Sequence, residues 1–323
     1  MQKITVSAPG KLMLLGEHAV VYNRPCLVTA VGQRMHATVE VLSNSNFELE
    51  AVDVKVTGYK KQLSEMGKGE IPKGAQFVEL VIKNYLEKHS FRGGFRVVTK
   101  SDFSSLFGFG SSSASTVCVV KALSELTGNN LTNKELFDIA YKTVLDVQGK
   151  GSGFDVASGI YGGCLYFITG GKVIEPLVVK ELPLIVGYSG IKADTVTLMN
   201  QVKALASKYP EFINSLYTEI AKLVEKAKLA LQTNDLATFG ELMNFNQGML
   251  EAMGVSIGKL STMIYGSRNH GAYGAKLSGA GGGDCMIAIA PNDKTKLVQQ
   301  GILDAGGQVI NIQTNVEGVR IEK

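Results

Sequence analysis

The sequence predicts an α+β fold in two domains, and three observations predict it. Extended, alternating segments open the chain, helical periodicity takes over after residue 110, and two long amphipathic stretches lead into a strand-rich carboxyl end. At 323 residues the chain exceeds the size one hydrophobic core usually serves. The boundary is expected near residue 180, giving units 1–180 and 181–323.

In the first unit Ile4, Val6 and Ala8 alternate with other residues, and the segment from His36 to Val41 also favours an extended chain. Between them, Leu12 to Tyr22 is apolar but interrupted by Gly16-Glu17-His18, a step that a buried strand does not tolerate without a purpose. Residues 95–100 read as a strand, and Ser115 to Leu126 as a helix closed by Gly128. The next helix opens at Thr132, where Glu135 completes a capping box; its apolar face is Leu136, Ile139, Ala140, Val144 and Val147. A glycine-rich turn at 149–153 precedes Phe154-Asp155-Val156-Ala157. Another strand is expected from about 181, then amphipathic helices at 210–232 and 236–253.

Composition narrows the function classes. With 45% apolar and 19% charged residues the chain reads as globular. No apolar run approaches the roughly 18 residues of a membrane span. The amino terminus reads as the start of a strand and lacks a signal-peptide pattern, so a cytoplasmic location is expected. Cys26, Cys118, Cys164 and Cys285 are far apart among apolar or small neighbours, which predicts reduced core thiols and no cysteine metal site. A net charge of +4 is spread without a basic block, arguing against nucleic acid as the main partner and suiting an anionic small molecule.

The 37 glycines concentrate in a few loops. Between the strand at 95–100 and the following helix lies Phe107-Gly108-Phe109-Gly110-Ser111-Ser112-Ser113-Ala114. Its small residues at a helix start expose backbone amides that bind phosphate, although a turn that only caps a helix has the same composition. Neither the Walker A pattern nor the dinucleotide fingerprint occurs. A second segment is Ser7-Ala8-Pro9-Gly10-Lys11. The third, Lys276-Leu277-Ser278-Gly279-Ala280-Gly281-Gly282-Gly283-Asp284-Cys285, has four glycines in five positions, which helix or strand propensity does not explain.

Together, in this order and at this spacing, the three segments resemble the signature motifs of the GHMP kinases over nearly the whole chain. The resemblance implies a GHMP kinase fold, with an amino-terminal domain like ribosomal protein S5 domain 2, a ferredoxin-like carboxyl-terminal domain and an active site between them. It implies ATP and Mg²⁺ as cofactors. Gly108, Gly110, Ser111, Ser112 and Ser113, with Gly279, Ala280 and Gly281, would bind ATP, and Ser112 would touch the metal. Asp155 falls at the position of the catalytic aspartate and Lys11 at that of its lysine partner. A positioned carboxylate can take the proton of an alcohol as it attacks γ-phosphorus, and a lysine stabilises the developing negative charge.

Gly16-Glu17-His18-Ala19-Val20-Val21-Tyr22 resembles the mevalonate kinase form of the first motif, in which Glu17 and His18 would face the substrate. Gln148 to Ala157, Arg34 to Ala37 and the Asp284-Cys285 ending are similar to phosphomevalonate kinases instead. We weight the substrate-facing pair most, so the expected activity is phosphorylation of the mevalonate 5-hydroxyl in isoprenoid biosynthesis. Phosphomevalonate kinase is the alternative, and a non-catalytic sensor of the same fold is a third reading. A homodimer is the assembly carried as an expectation. One departure stands out: many mevalonate kinases carry a Mg²⁺-binding glutamate eleven residues before the aspartate, and here Val144 occupies that position, where a core role is expected.

Overall fold

The computed structural model describes residues 2–322. In chain order the elements are β1 (Lys3–Leu15), β2 (Pro25–Leu42), β3 (Asn46–Ala51), β4 (Val56–Gln62), α1 (Gln76–Leu86), β5 (Gly94–Ser101), α2 (Ser111–Leu126), α3 (Asn133–Gln148), α4 (Phe154–Tyr161), β6 (Cys164–Ile168) and β7 (Val173–Leu177). There follow β8 (Leu184–Tyr188), α5 (Thr195–Lys208), α6 (Pro210–Gln232), α7 (Leu236–Ala252), α8 (Gly258–Asn269), β9 (Gly274–Ser278), β10 (Cys285–Ile289), α9 (Thr295–Asp304), β11 (Gln308–Ile310) and β12 (Arg320–Ile321).

The first sheet runs β12-β1-β2-β5-β3-β4, with β6 added to β2 and β7 to β6. Period-two alternation, with its phase shifted at the irregularity between Pro9 and Gly10, turns β1 into a wall between two cores. Val6, Ala8 and Met13 pack with residues of α1 to α4, whereas Leu12 and Leu14 pack with the second sheet and helices α6 and α7. The second sheet, β11-β8-β10-β9, is antiparallel throughout and built in βαββαβ order, the ferredoxin-like arrangement the resemblance implied. The last residues then return to the first sheet: Thr314 pairs with Val31, Glu317 with Gly162, and β12 with β1. Buried Arg34 holds this return by donating to the carbonyls of Glu317 at 3.1 Å and Gly318 at 2.7 Å.

Both amphipathic helices and the Thr132–Glu135 capping box form as expected. The helix expected from Ser115 begins four residues earlier, because Gly110 is left-handed (φ 79°) and lets the chain enter the helix directly after the glycine turn. The strand-rich carboxyl end also contains α8 and α9. These cross so closely at Gly266 and Gly301 that a side chain at either glycine would meet the other's backbone. All four cysteines are free and buried, and burial pushes their thiols up, Cys164 to about 11. Among the described residues no helix is long and apolar enough to cross a membrane.

Candidate active site

The phosphate-loop segment precedes α2, whose first turn is Ser111-Ser112-Ser113. No side chain caps that helix, so amides at its amino end have no intrahelical partner and point, with the positive end of the dipole, into the space in front. Glycines stand where the turn needs positive φ, at Gly108 (73°) and Gly110 (79°). Lys11 reaches this turn from β1: its backbone amide donates to Phe109 O at 3.0 Å and its Nζ to Gly108 O at 2.8 Å, with the ammonium 5.3 Å from the Phe154 ring centre. Burial pushes the Lys11 ammonium below its ordinary range; Asp155 and then Asp284 pull it back up.

Asp155 lies in the first turn of α4. Ser113 Oγ donates to its Oδ2 at 2.6 Å and the Val156 amide to its Oδ1 at 3.1 Å, fixing the carboxylate plane while leaving lone pairs on both oxygens. Gly110 separates Lys11 from Asp155: a methyl group there would sit 3.1 Å from Lys11 Cε and 3.7 Å from Asp155 Cβ. The two expected partners are therefore neighbours across a glycine and are not joined by an ion pair. Ser113, expected on the nucleotide, also orients the aspartate. Ser112 is half-buried at the second helical position, and its carbonyl is occupied by the hydroxyls of Ser115 and Thr116.

Glu17 and His18 are both buried. Glu17 (1% exposed) forms an ion pair with Lys276 (0% exposed), 259 positions away on β9. Burial pushes the Glu17 carboxyl up, and Lys276 opposes it. The Gly279 amide donates to Glu17 Oε1 at 3.5 Å, and Oε2 is buried with no partner among the described residues. His18, left-handed at φ 59°, donates from Nε2 to Ala280 O at 2.9 Å. Ser278 Oγ donates to Met13 O at 2.9 Å, so first and third motifs are stitched together across the interface of the two sheets. Sequence reasoning passed over Lys276 as a functional residue; a lysine between Ala275 and Leu277 in a buried strand was the available signal.

The third loop thus meets Glu17 and His18 at residues 279–280, while at its far end Asp284 lies against Gly108. Val144 is buried (2% exposed), as expected. Nearby Asp146 is engaged by Lys142 and Asn84, so α3 brings no carboxylate toward Asp155. Among the described residues no cluster of three His, Cys, Asp or Glu side chains could hold a metal by itself.

Comparison with known proteins gives the family and the fold. Residues 76–163 match the GHMP kinases N terminal domain and residues 220–305 the GHMP kinases C terminal domain. A mevalonate kinase of Pyrococcus horikoshii is 36% identical over 331 aligned positions, covering 99% of this chain and 98% of that protein. Among solved structures, the Lin0012 protein from Listeria innocua superimposes with a TM-score of 0.89 at 23% identity, covering 100% of both chains. The Methanococcus jannaschii mevalonate kinase gives a TM-score of 0.81 at 25% identity, covering 97% of this chain and 98% of that one.

Proposed function

This chain belongs to the GHMP kinases, and from that membership and the site geometry we propose that it transfers the γ-phosphoryl group of ATP to the 5-hydroxyl of mevalonate. The acceptor rests on full-length likeness to mevalonate kinases. The transfer chemistry rests on one juxtaposition: Asp155, oriented by Ser113, across Gly110 from Lys11 at the amino end of α2.

In the proposed reaction the amides of Ser111 to Ser113 and the flanking glycines hold the nucleotide phosphates. Asp155 takes the proton of the substrate hydroxyl as its oxygen bonds to γ-phosphorus; the bond from γ-phosphorus to the bridging oxygen breaks and ADP leaves. Lys11 offsets negative charge on the transferred group. The partial desolvation that lowers its proton affinity also strengthens its field. Gly279, Ala280 and Gly281 close the nucleotide side, and Glu17 and His18 shape the substrate end through their contacts with that loop.

Mg²⁺ bound here would neutralise phosphate charge. Ser112 and Asp155 are the groups that would hold it, and with Val144 in the core α3 would add no carboxylate, which suits an ion that keeps several waters. Ser112→Ala should weaken the Mg²⁺ dependence of ATP binding measured by calorimetry, apart from any turnover.

The deciding assay is ADP release with each alcohol in parallel. Mevalonate should be preferred by at least about tenfold in kcat/KM. Faster turnover of 5-phosphomevalonate would assign the chain to the neighbouring reaction, and ATP binding without turnover on either would make it a sensor. Division into units 1–180 and 181–323, with the tail returning to the first, is proposed alongside. A homodimer in a cytoplasmic setting is likewise proposed, and light scattering reads the assembly.

A further inference from the structure

Asp284 ends the third motif, and the transfer chemistry above leaves it without a role. It is left-handed (φ 54°) directly after a run of glycines, a conformation glycine adopts without strain and aspartate only at a cost. The contacts of its side chain offset that cost. Its Oδ1 accepts from the Ala193 amide at 3.0 Å and from Lys192 Nζ at 3.1 Å; Lys192 Nζ also reaches Oδ2 at 3.3 Å. The Asp284 amide donates to Ile191 O at 2.7 Å, and its carbonyl accepts from the Ser189 amide at 2.9 Å. On the opposite side the carboxylate rests on Gly108, where any side chain would overlap it. One residue therefore joins three segments: the phosphate loop, the third motif and loop 189–193, which crosses from β8 to α5.

We propose that Asp284 is a positioning residue for phosphoryl transfer, holding Lys192 and loop 189–193 against the phosphate loop so that a second cation stands beside Lys11. The inference rests on the kinase reading. Stability does not account for the ion pair itself, since Lys192 is 45% exposed and a pair with one solvated partner contributes little to folding. The pair does place charge: Lys192 Nζ lies 3.1 Å from a carboxylate that rests on Gly108, and the carbonyl of that same glycine accepts from Lys11 Nζ at 2.8 Å, so both ammonium groups are held at the one turn before α2. When nucleotide phosphates arrive, a lysine already held at the loop meets them without first being ordered.

The test compares Asp284→Asn, Asp284→Gly, Lys192→Met and the Asp284→Asn/Lys192→Met double variant. Asparagine keeps an acceptor for the Ala193 amide and removes the charge. Glycine relieves the positive φ, so an activity loss there does not come from a strained fold. The first readout needs no turnover: trypsin should cut after Lys192 several-fold faster in Asp284→Asn and Asp284→Gly than in wild type, with other sites unchanged. Unchanged cutting at Lys192 in both variants overturns the proposal, whatever the acceptor proves to be. In turnover, each single variant should lose about tenfold in kcat with ATP affinity changed less, and the double variant should be no worse than the more impaired single one. Wild-type kcat in Asp284→Gly, or losses that multiply in the double variant, also overturns it. An inactive wild type with accelerated cutting in the variants would sink the kinase reading and leave the anchoring role standing.

Discussion

Removing Lys276 tests whether the stitch between the first and third motifs carries structural weight. In Lys276→Met the Glu17 carboxylate keeps one long contact, the Gly279 amide at 3.5 Å, while its Oε2 already lacks a partner among the described residues. Both side chains of the pair are essentially inaccessible, at 0% and 1% exposure, so water cannot replace the lost ammonium. Breaking one side of such a pair costs about 3–5 kcal/mol, and urea unfolding at pH 7 should show that deficit. The pH dependence gives an internal check. Burial raises the Glu17 carboxyl and Lys276 opposes the rise; without Lys276 the folded value rises further above the unfolded one. Such a carboxyl penalises the fold most at pH values above its folded pKa, and the penalty fades as pH falls toward the unfolded value, about 4.3. The deficit of Lys276→Met should therefore narrow on acidification, and adding Glu17→Gln should relieve most of it at pH 7. A deficit below about 1 kcal/mol at pH 7, or one that neither acid nor Glu17→Gln relieves, would refute the reasoning.

Asp155→Asn and Lys11→Met should each lower kcat by at least about a hundredfold with ATP binding retained in calorimetry; near-normal turnover removes that residue from the mechanism. Val144→Glu should cost on the order of 3 kcal/mol in urea unfolding, because its site is core. A stable variant that binds Mg²⁺·ATP at lower metal concentration contradicts that assignment. Burial holds the His18 imidazole below its ordinary range, partly offset by its bond to Ala280 O. The unfolded chain then binds the proton first as pH falls, so stability is retained above about pH 6.5 and declines below it until the folded pKa is reached. His18→Asn, which removes the titrating imidazole, should flatten this dependence between pH 5 and 7 as read by melting temperature; an unchanged slope assigns the effect to another group.

The sequence alone was enough for the class of fold and for the segments where chemistry had to be sought. Strand alternation at Ile4-Val6-Ala8, the Thr132–Glu135 capping box and the 3.6-residue periodicity of α6 and α7 are local signals, written within a turn or two of chain. Glycine density works the same way, since a backbone that must turn with positive φ shows it at that residue. Helices α8 and α9 were passed over although Leu260, Met263 and Ile264, and Val298 and Ile302, mark their buried faces; their crossing depends on two glycines far apart in the chain, Gly266 and Gly301. Pairing was beyond the sequence for the same reason. That Glu17 would meet Lys276 follows from two sheets meeting across β1, that Ser113 would hold Asp155 from α2 packing against α4, and that Asp284 would bind Lys192 from β8 pairing with β10. A charged side chain states that it needs a partner when buried, but its identity depends on which surfaces the fold brings within about 3 Å of it. Tertiary packing made that choice.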